Sequence, residues 1–295
     1  MRPFSDNSRL MSLVLILLLV AGCEAEQKRE YWGSLYFGIG TYLGQLDLRD
    51  GSVAVLANLG DTNIREVAGF SDDQLLLSVF GPVNHKNTFR LMQYELDAGG
   101  MATVLIGRHG RYLPGPEALI YDDDTHLNAR IYGGDGMEEV TVARHRFGAH
   151  AQILQAGETQ FLYTIGQDET VVSFDIETRE SKSLTKLSAQ CGLEGALWIA
   201  NRAALLCKSH KDLHDYAFVG LDGEFQGTLA MPDASLFLAI AYLEDQEALV
   251  LTESWKTVVS ESTRYAVWTY DLRNGNMDRL VKEQFVGTHV VYSAN

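Results

Sequence analysis

Basic residues are scarce in this sequence: lysine and arginine total 24, against 39 aspartates and glutamates, and the formal net charge is −15. A protein that holds nucleic acid by its phosphates needs a broad basic face, so nucleic acid is not expected as a partner. Low-complexity tracts are also absent, and 46% of the residues are hydrophobic, which is enough to bury a full core. The sequence therefore describes a folded globular protein.

Recognisable catalytic and nucleotide-binding motifs are missing as well. No Gly-x-Ser-x-Gly motif presents a nucleophilic serine, and no glycine-rich run opens a helix that could hold a phosphate. His210 and His214 have the spacing of some zinc sites, but no glutamate follows the first histidine as zinc proteases require. Asp122, Asp123 and Asp124 lack the spacing of a calcium-binding EF-hand loop, and we interpret them as a solvated turn. No cofactor and no metal are expected.

One apolar run lies near the start of the chain. It follows Arg2 and Arg9 and extends from Leu10 to Ala21, with Ser12 as its one polar residue. A helix needs about 20 residues to cross a hydrocarbon core of roughly 30 Å, so this run is too short to span a membrane. It is typical of the hydrophobic centre of a signal peptide.

The end of this run, Leu19-Val20-Ala21-Gly22-Cys23, resembles a bacterial lipobox. The resemblance implies that residues 1–22 are a signal peptide, that Cys23 receives lipid, and that residues 23–32 form a lipidated tether. A buried cysteine closing a core helix is the alternative, and the charged residues that follow at once argue against it. Glu24 stands where an aspartate favours the inner membrane, so the periplasmic face of the outer membrane is the expected location.

Cys191 and Cys207 would then lie in an oxidising compartment, where an even number of cysteines favours a disulfide. A turn predicted near Asn201 sets Cys207 opposite Gly195, however, which leaves Cys191 four residues out of register. The sequence leaves this bridge open.

Residues 33–295 contain an internal repeat that predicts a single domain. Each copy has a polar turn, an apolar strand, a loop, a strand with an acidic residue between apolar ones, a tight turn and a further strand. With Asp73, Asp123, Glu158, Arg202 and Gln246 taken as equivalent, the successive spacings are 50, 35, 44 and 44 residues. Four strands in a period of about 40 to 50 residues are the signature of a propeller blade.

The acidic strand of the repeat recurs as Leu46-Asp47-Leu48, Tyr94-Glu95-Leu96, Phe174-Asp175-Ile176 and Tyr270-Asp271-Leu272. With the turns around it, it resembles the TolB-like propellers, in which a Ser-Pro-Asp-Gly-type turn precedes the second strand and an Asp-Leu-x-x-Gly-type turn follows the third. Here proline is missing from these turns, and glycine follows only some of them. The resemblance covers most of residues 33–292 and implies an all-β, six-bladed propeller.

The two ends of this region predict how the ring closes. Strands expected at 34–38, 43–48 and 53–56 leave the first blade without an innermost strand, while 288–292 is a strand without partners. We expect the C-terminal strand to complete the first blade, which removes an exposed sheet edge. The third blade is expected to be short, because residues 144–150 leave little room for a fourth strand. An irregular ring of five or seven blades is the alternative fold.

In propellers, the loops between blades and those between the second and third strands share one face, where ligands usually bind. We assign to this mouth the loops 81–88, 107–114, 144–150, 208–215 and 253–264. Their histidines and arginines predict a locally cationic mouth on an acidic chain, unless nearby acids cancel the charge. The candidate ligand-binding residues are His85, Arg108, His109, Arg111, Arg144, His145, Arg146, His150, His210, His214 and Trp255, the last as an aromatic residue in a polar loop.

A non-catalytic binding or scaffold protein of the cell envelope is the favoured function, because the sequence has no recognisable catalytic set. Its expected partners are the membrane, through the lipid, and envelope proteins or an anionic small molecule. The alternative is an envelope hydrolase or lyase that acts on an anionic sugar or peptide, with histidines of the mouth as acid and base. Three or more of these histidines and a carboxylate within about 3 Å of one another in a deep channel would favour the enzyme.

Overall fold

The computed structural model describes residues 30–71, 73–133, 136–166, 170–184, 193, 195–208, 215–231, 236–256, 263–281 and 290–293. The chain divides into Met1–Tyr31 and Trp32–Asn295, and the second unit contains all the strands given below. Two short 3-10 turns, Ala200–Arg202 and Glu244–Gln246, accompany them. Among the described residues, no helix is long and apolar enough to cross a membrane.

The described strands form six antiparallel sheets of four strands each, which are the blades. Blade 1 contains β1 (Ser34–Ile39), β2 (Tyr42–Asp47), β3 (Val53–Asn58) and, at its inner edge, β24 (Val290–Ser293). Blade 2 contains β4 (Asn63–Ser71), β5 (Gln74–Val83), β6 (Lys86–Glu95) and β7 (Met101–Ile106). Blade 3 contains β8 (Arg108–Leu113), β9 (Ala118–Asp122), β10 (His126–Gly133) and β11 (Gly136–Arg144).

The second half of the chain repeats this order, with the strands of each blade running outwards from the axis. Blade 4 contains β12 (Ala151–Gln155), β13 (Gln160–Ile165), β14 (Val172–Asp175) and β15 (Ser181–Ser183). Blade 5 contains β16 (Leu197–Ile199), β17 (Ala204–Lys208), β18 (Tyr216–Gly220) and β19 (Phe225–Leu229). Blade 6 contains β20 (Leu236–Leu243), β21 (Ala248–Lys256), β22 (Thr263–Asp271) and β23 (Met277–Val281).

The inner strands close the ring. Each of β24, β4, β8, β12, β16 and β20 contacts the next one around the axis, and β20 contacts β24 again. The C-terminal strand β24 pairs antiparallel with β1, with Tyr292 opposite Leu35. The prediction of a six-bladed propeller whose C-terminal strand completes the first blade is confirmed. Pairing of β24 with β1 covers an edge that would otherwise expose unpaired backbone groups.

The hydrophobic core lies between neighbouring blades. Leu43 of blade 1 packs with Ile64 and Leu77 of blade 2, for example, and all three are buried. Between blades 5 and 6, Leu206 and Phe218 of blade 5 pack in one buried cluster with Leu249 of blade 6. Similar buried clusters occur from blade 2 through to blade 5. Each blade is therefore stabilised by apolar contacts with the blades beside it.

The prediction of a short third blade is wrong, since β11 is a full nine-residue fourth strand. Asp122 ends the second strand, β9, and Asp123 and Asp124 follow it before the third strand, β10, so this turn does not precede the second strand as predicted from the repeat. The turn before the second strand is 114–117, which contains Pro114 and Pro116. With Pro116 in place of Asp123, the spacings of 50 and 35 become 43 and 42 residues, so the repeat is more regular than the sequence motifs indicated.

Backbone geometry supports this corrected alignment. Glu117, Ala203 and Glu247 each lie directly before the second strand of their blade, in the left-handed region with φ of 48°, 47° and 47°. Non-glycine residues adopt this region uncommonly, so its recurrence at one place in three blades marks an equivalent turn. The repeat predicted this turn correctly in blades 5 and 6, at Arg202 and Gln246, and misplaced it in blade 3.

Candidate functional site

One end of the propeller, which we call the upper rim, carries the blade-to-blade connections and the hairpins between second and third strands. The topology places there the β5–β6 turn, the β9–β10 turn and the connection from β11 to β12. Each inner strand begins at this rim, and so does β24, because it pairs antiparallel with β1 as the other inner strands do with the second strands of their blades. The rim therefore surrounds one opening of the space between the inner strands.

That space contains a cavity of about 640 Å³, which we call the channel. It is lined from β4, β8, β12, the segment before and into β16, and β20, so five of the six blades contribute. Its apolar lining includes Phe70, Ile153, Leu154, Leu197 and Ile240. Ligand pockets in proteins commonly enclose about 300 to 1,000 Å³ and combine an apolar lining with a few placed polar groups. The channel has the size and composition of such a site.

Three polar side chains, Glu66, His109 and Arg111, form what we call the channel cluster. His109 Nδ1 lies 2.6 Å from Glu66 Oε1, and Arg111 Nη1 donates to Glu66 Oε2 at 3.1 Å. Because a carboxylate only accepts hydrogen bonds, Nδ1 of His109 carries the proton in this contact. All three residues line the channel, with Glu66 on the inner strand of blade 2 and the other two on that of blade 3.

Irregular backbone directs these side chains. The pairing of β8 with β9 shifts between Arg108 and Arg111, and His109, inside this bulge, has a φ of 53°. Its N–H donates to Ser78 Oγ of blade 2 at 3.3 Å. A second bulge lies between Ile64 and Glu66 in β4. Bulges and left-handed non-glycine residues re-aim side chains and occur often beside functional sites.

A glycine makes the bulge in β8 possible. A Cβ atom on Gly110 would lie 2.7 Å from Leu76 Cδ2 and 2.8 Å from Leu91 Cδ1. Both leucines are fully buried in the core between blades 2 and 3. A larger residue between His109 and Arg111 would therefore require these leucines to shift.

A second polar group, the rim cluster, lies beside the channel and consists of Arg108, Asp122, Asp124, His145 and His150. Arg108 Nε is 3.7 Å from Asp122 Oδ1, and its Nη2 pairs with Asp124. His145 Nε2 is 3.4 Å from Asp122 Oδ1, and Arg108 Nη1 is 3.5 Å from His150 Nε2. The two clusters meet where the rings of His109 and His150 lie 6.2 Å apart.

Asp122 is buried, with no exposed surface on its side chain. Its Oδ2 accepts the N–H of Ala151 at 2.8 Å, and its Oδ1 accepts the N–H of Asp124 at 2.7 Å. Asp122 therefore joins blade 3 to the first residue of blade 4. The interpretation of Asp122, Asp123 and Asp124 as a solvated turn is wrong for Asp122, because its side chain is fully buried. Asp123 does cap its own turn: burial raises the pKa of its carboxyl, but hydrogen bonds from the N–H groups of Thr125 and His126 outweigh it and lower that pKa.

Within each of the two clusters, positive and negative side chains pair with one another. Arg108 and Arg111 are paired with Asp122, Asp124 and Glu66. Nearby acids thus offset the positive charge of these arginines, as the alternative to a cationic mouth predicted. The pKa of His150 is lowered by desolvation, then by the positive charge of Arg108 and by His109. A neutral His150 is consistent with its contact to Arg108, since a guanidinium only donates.

The remaining predicted site residues lie elsewhere. His85 occupies the tip of the β5–β6 turn, is exposed, and has no hydrogen bond or ion pair with either cluster among the described residues. Arg144 ends β11 and Arg146 follows it, and both are exposed on the upper rim. Trp255 lies in strand β21 opposite Arg264, so its prediction as a loop residue is wrong. His210 and His214 lie outside the described residues.

Loop 107–114 was also misassigned, because Arg108, His109 and Arg111 lie on the inner strand β8. The polar composition of Arg108–Leu113 is typical of a loop, so the sequence did not indicate that this segment is a partly buried inner strand. Glu66 was missed altogether. In the sequence, Glu66 is a charged residue between apolar ones in Ile64-Arg65-Glu66-Val67. That pattern indicates a site only when β4 is known to be an inner strand.

Cys207 is fully buried in β17 and is disulfide-bonded. Cys191 lies outside the described residues, so its pairing with Cys207 stays a prediction. In the described part of the chain, no group of three or more histidine, cysteine, aspartate or glutamate side chains is arranged to hold a metal ion.

Comparison with known proteins finds relatives by structure and not by sequence. No protein-family model matches the chain, and no curated protein matches it. A chain of the nidogen/laminin complex is similar with a TM-score of 0.58 and 13% identity, over 84% of this chain and 93% of that one. A protein of unknown function from Bacteroides caccae is similar with a TM-score of 0.59 and 9% identity, over 89% of this chain and 100% of that one.

TolB from Acinetobacter baumannii is also similar, with a TM-score of 0.57 and 10% identity. The match covers 88% of this chain and 65% of TolB. At these identities the likeness shows the propeller fold, which agrees with the TolB-like architecture expected from the repeats, and carries no function across.

Proposed function

We propose that this protein is a lipid-anchored binding protein on the periplasmic face of the outer membrane, and that its propeller takes a ligand into the channel. The observation that carries the proposal is the channel itself, an axial cavity of about 640 Å³ with the channel cluster in its wall. The ligand is an anionic small molecule or a segment of an envelope protein. No chemical step is needed for this role.

The channel cluster supports an anionic ligand. Arg111 is partly exposed and lines the channel, and its Nη1 group is bound by the buried carboxylate of Glu66. A fixed guanidinium in a site with apolar walls binds an anion more strongly than one that moves freely in water, because less conformational entropy is lost on binding. The apolar lining adds the hydrophobic contribution that such sites use for affinity.

The sequence around Cys23 supports the membrane anchor. The apolar run and the small residues before Cys23 favour lipidation, and the charged stretch after it favours a short tether to the propeller. Lipid on the N-terminal cysteine would keep the propeller at the membrane surface without a spanning helix. The membrane is thus one partner in this proposal, and the channel ligand is the other.

A second candidate function, an envelope hydrolase or lyase that acts on an anionic sugar or peptide, is favoured by one contact. The 2.6 Å approach of His109 to Glu66 fixes the imidazole so that Nε2 can act as a general base. Arg111 would then hold the anionic group of the substrate. The convergence of three histidines on one carboxylate that would favour an enzyme is not met in the described residues, where His109 and His145 contact different acids.

Ligand capture from envelope extracts tests the proposal. The purified full chain is incubated with extracts, washed and analysed by native mass spectrometry, beside Leu197→Trp, which fills the channel. Leu56→Trp on the outer strand β3 is the matched control, since Leu56 is likewise half-buried but does not line the channel. A ligand retained by the wild type and by Leu56→Trp, and lost in Leu197→Trp, supports channel binding.

Retention of the same ligands by all three proteins, or by none, would overturn channel binding. Conversion of the captured ligand during incubation, abolished by His109→Ala, would replace the binding function with the enzymatic one.

A further inference from the structure

The guanidinium of Arg111 has an unused edge. Nη1 donates to Glu66 Oε2 at 3.1 Å and to the carbonyl oxygen of Gly110 at 2.8 Å, which occupies both of its N–H groups. Nε and Nη2 have no hydrogen-bond partner in the described part of the chain, and Arg111 lines the channel. The Nε and Nη2 groups of a guanidinium lie side by side and donate two parallel hydrogen bonds, which match the two oxygens of a carboxylate.

Glu66 holds this edge in place. Both of its carboxylate oxygens accept hydrogen bonds, one from His109 Nδ1 at 2.6 Å and the other from Arg111 Nη1. Glu66 is therefore a positioning residue for Arg111, and its oxygens are turned towards the protein. The two contacts fix the guanidinium before any ligand binds, so its Nε–Nη2 edge, which we call the fork, is preorganised.

The channel cluster limits the charge that a ligand can carry. Arg111 is the one lysine or arginine in the channel lining that the structure describes, and the whole chain has a formal net charge of −15. A monoanion would share the guanidinium of Arg111 with Glu66, with Glu66 bound at Nη1 and the ligand at Nε and Nη2. A dianion such as a phosphate monoester would bring a second charge that no further cation in the channel lining, as far as the structure describes it, neutralises.

The rest of the lining suits an apolar body. Phe70, Ile153, Leu154, Leu197 and Ile240 come from four different blades and face the same cavity as Arg111. We infer that the channel binds an amphipathic monocarboxylate, whose carboxylate lies on the Nε–Nη2 edge of Arg111 and whose apolar body lies against these side chains. This inference rests on the proposed function, because it names the ligand class of the same channel.

Two sources could supply this chemistry: a free aliphatic acid, or the C-terminus of an apolar peptide. The test measures both by isothermal titration calorimetry on the intact lipidated chain in nanodiscs, with empty nanodiscs subtracted. Octanoate is compared with octanol, which lacks the charge, and with octyl phosphate, which carries more charge. The peptide acetyl-Leu-Ala-Leu with a free C-terminus is compared with its C-terminal amide.

We expect octanoate or the free-acid peptide to bind at least about tenfold more tightly than its neutral counterpart and than octyl phosphate, since a bidentate charged pair contributes on the order of 1.4 kcal/mol or more. Binding of octanoate would identify a free aliphatic acid as the source of the carboxylate, and binding of the free-acid peptide would identify a peptide C-terminus. Arg111→Lys keeps the charge but loses the fork, so its affinity should fall by about tenfold. Arg179→Lys, a surface arginine paired with Glu138 away from the channel, should bind as the wild type does.

Glu66→Asp provides a second variant, because it keeps the negative charge while its shorter side chain loses the contacts that position Arg111. It should reduce carboxylate affinity while octanol binding stays constant, which a misfolded channel would not do. Equal affinities for acid and neutral probes, or undiminished acid binding in Arg111→Lys, would overturn the inference. If neither acid binds while a ligand without a carboxylate is captured in the channel, this inference fails and the proposed function stands.

Discussion

Tyr216 shows how single side chains join neighbouring blades of this propeller. It is fully buried on β18 of blade 5, and its hydroxyl accepts the N–H of Ala239 on the inner strand of blade 6 at 2.6 Å. Burial raises the pKa of the phenol to about 12, while the hydrogen bond from Ala239 opposes this effect. Since Ala239 lines the channel, this contact also sets part of the channel wall.

Tyr216→Phe removes the acceptor and leaves the N–H of Ala239 buried without a partner. A buried unsatisfied donor costs about 1 to 3 kcal/mol, so we expect the free energy of unfolding to fall by that amount. Urea denaturation followed by circular dichroism measures it. Tyr42→Phe is the control, because Tyr42 is 49% exposed and should change stability little. Equal stabilities of the two variants would contradict the assigned hydrogen bond.

His150 connects residue-scale electrostatics to pH. Desolvation and the positive charge of Arg108 lower its pKa in the folded protein, whereas the unfolded chain has a value of about 6.5. Between these two values the unfolded chain binds more protons, so the free energy of unfolding decreases as the pH falls below about 6.5. Above that pH both states are neutral at His150, and its penalty disappears.

We therefore expect the His150 imidazole to titrate below pH 6.5 in NMR spectra of the folded protein. His150→Asn should lose less stability than the wild type when urea denaturation is repeated at pH 7.5 and at pH 5.5. A midpoint above 6.5, or an equal loss in both proteins, would show that desolvation and the charge of Arg108 do not lower the pKa of this imidazole.

At the scale of elements, the inner strands depart from regular geometry where the candidate site lies. Bulges interrupt β4 at Glu66 and β8 at His109, and a further one interrupts β20 after Ala239. Register shifts also occur between the third and fourth strands of five blades, but the alternating apolar residues and turn residues of those hairpins are visible in the sequence. Strands 34–39 and 53–58 were accordingly predicted at 34–38 and 53–56, whereas the charged strand β8 was taken for a loop.

Gly110→Ala tests the packing that the bulge in β8 requires. The new Cβ would lie under 3.0 Å from two buried leucines, which must shift in a packed core. Overpacking of this kind costs typically about 1 to 3 kcal/mol, and we expect a loss of that size in thermal or urea denaturation. Gly133→Ala in β10 is the control, because its nearest neighbour would be 3.9 Å away. A Gly110→Ala protein as stable as the control would show that the interface of blades 2 and 3 has room to adapt.

At the scale of the whole molecule, closure of the ring creates the site. Glu66 and Arg111 are 45 positions apart, and β20, which completes the channel wall, follows after more than a hundred further residues. Only the stacking of blades around one axis brings these segments to a shared cavity. The channel cluster itself needs the contact between blades 2 and 3, whereas the channel wall needs blades 4, 5 and 6 as well.

The lipid anchor proposed at Cys23 would act on the whole molecule. We expect Cys23→Ser to move the protein from the membrane fraction to the soluble or unprocessed fraction in a Gram-negative host, because the sulfur proposed to carry the lipid is lost. Fractionation and labelling with radioactive palmitate measure this change. Cys207→Ser, which leaves the lipobox intact, is the control. A Cys23→Ser protein that still incorporates palmitate and remains with membranes would contradict lipidation at Cys23.

The sequence by itself determined the class of fold, the number of blades and the way the ring closes, because strand periodicity and turn residues are local and repeat along the chain. Only the tertiary structure decided that Asp122 is buried, that Arg108, His109 and Arg111 lie on an inner strand, and that Glu66 joins them. Burial and charge pairing depend on which blades become neighbours, and the bulges that aim these side chains carry no motif of their own. The candidate site therefore could not be read from local pattern, even though the architecture that holds it could.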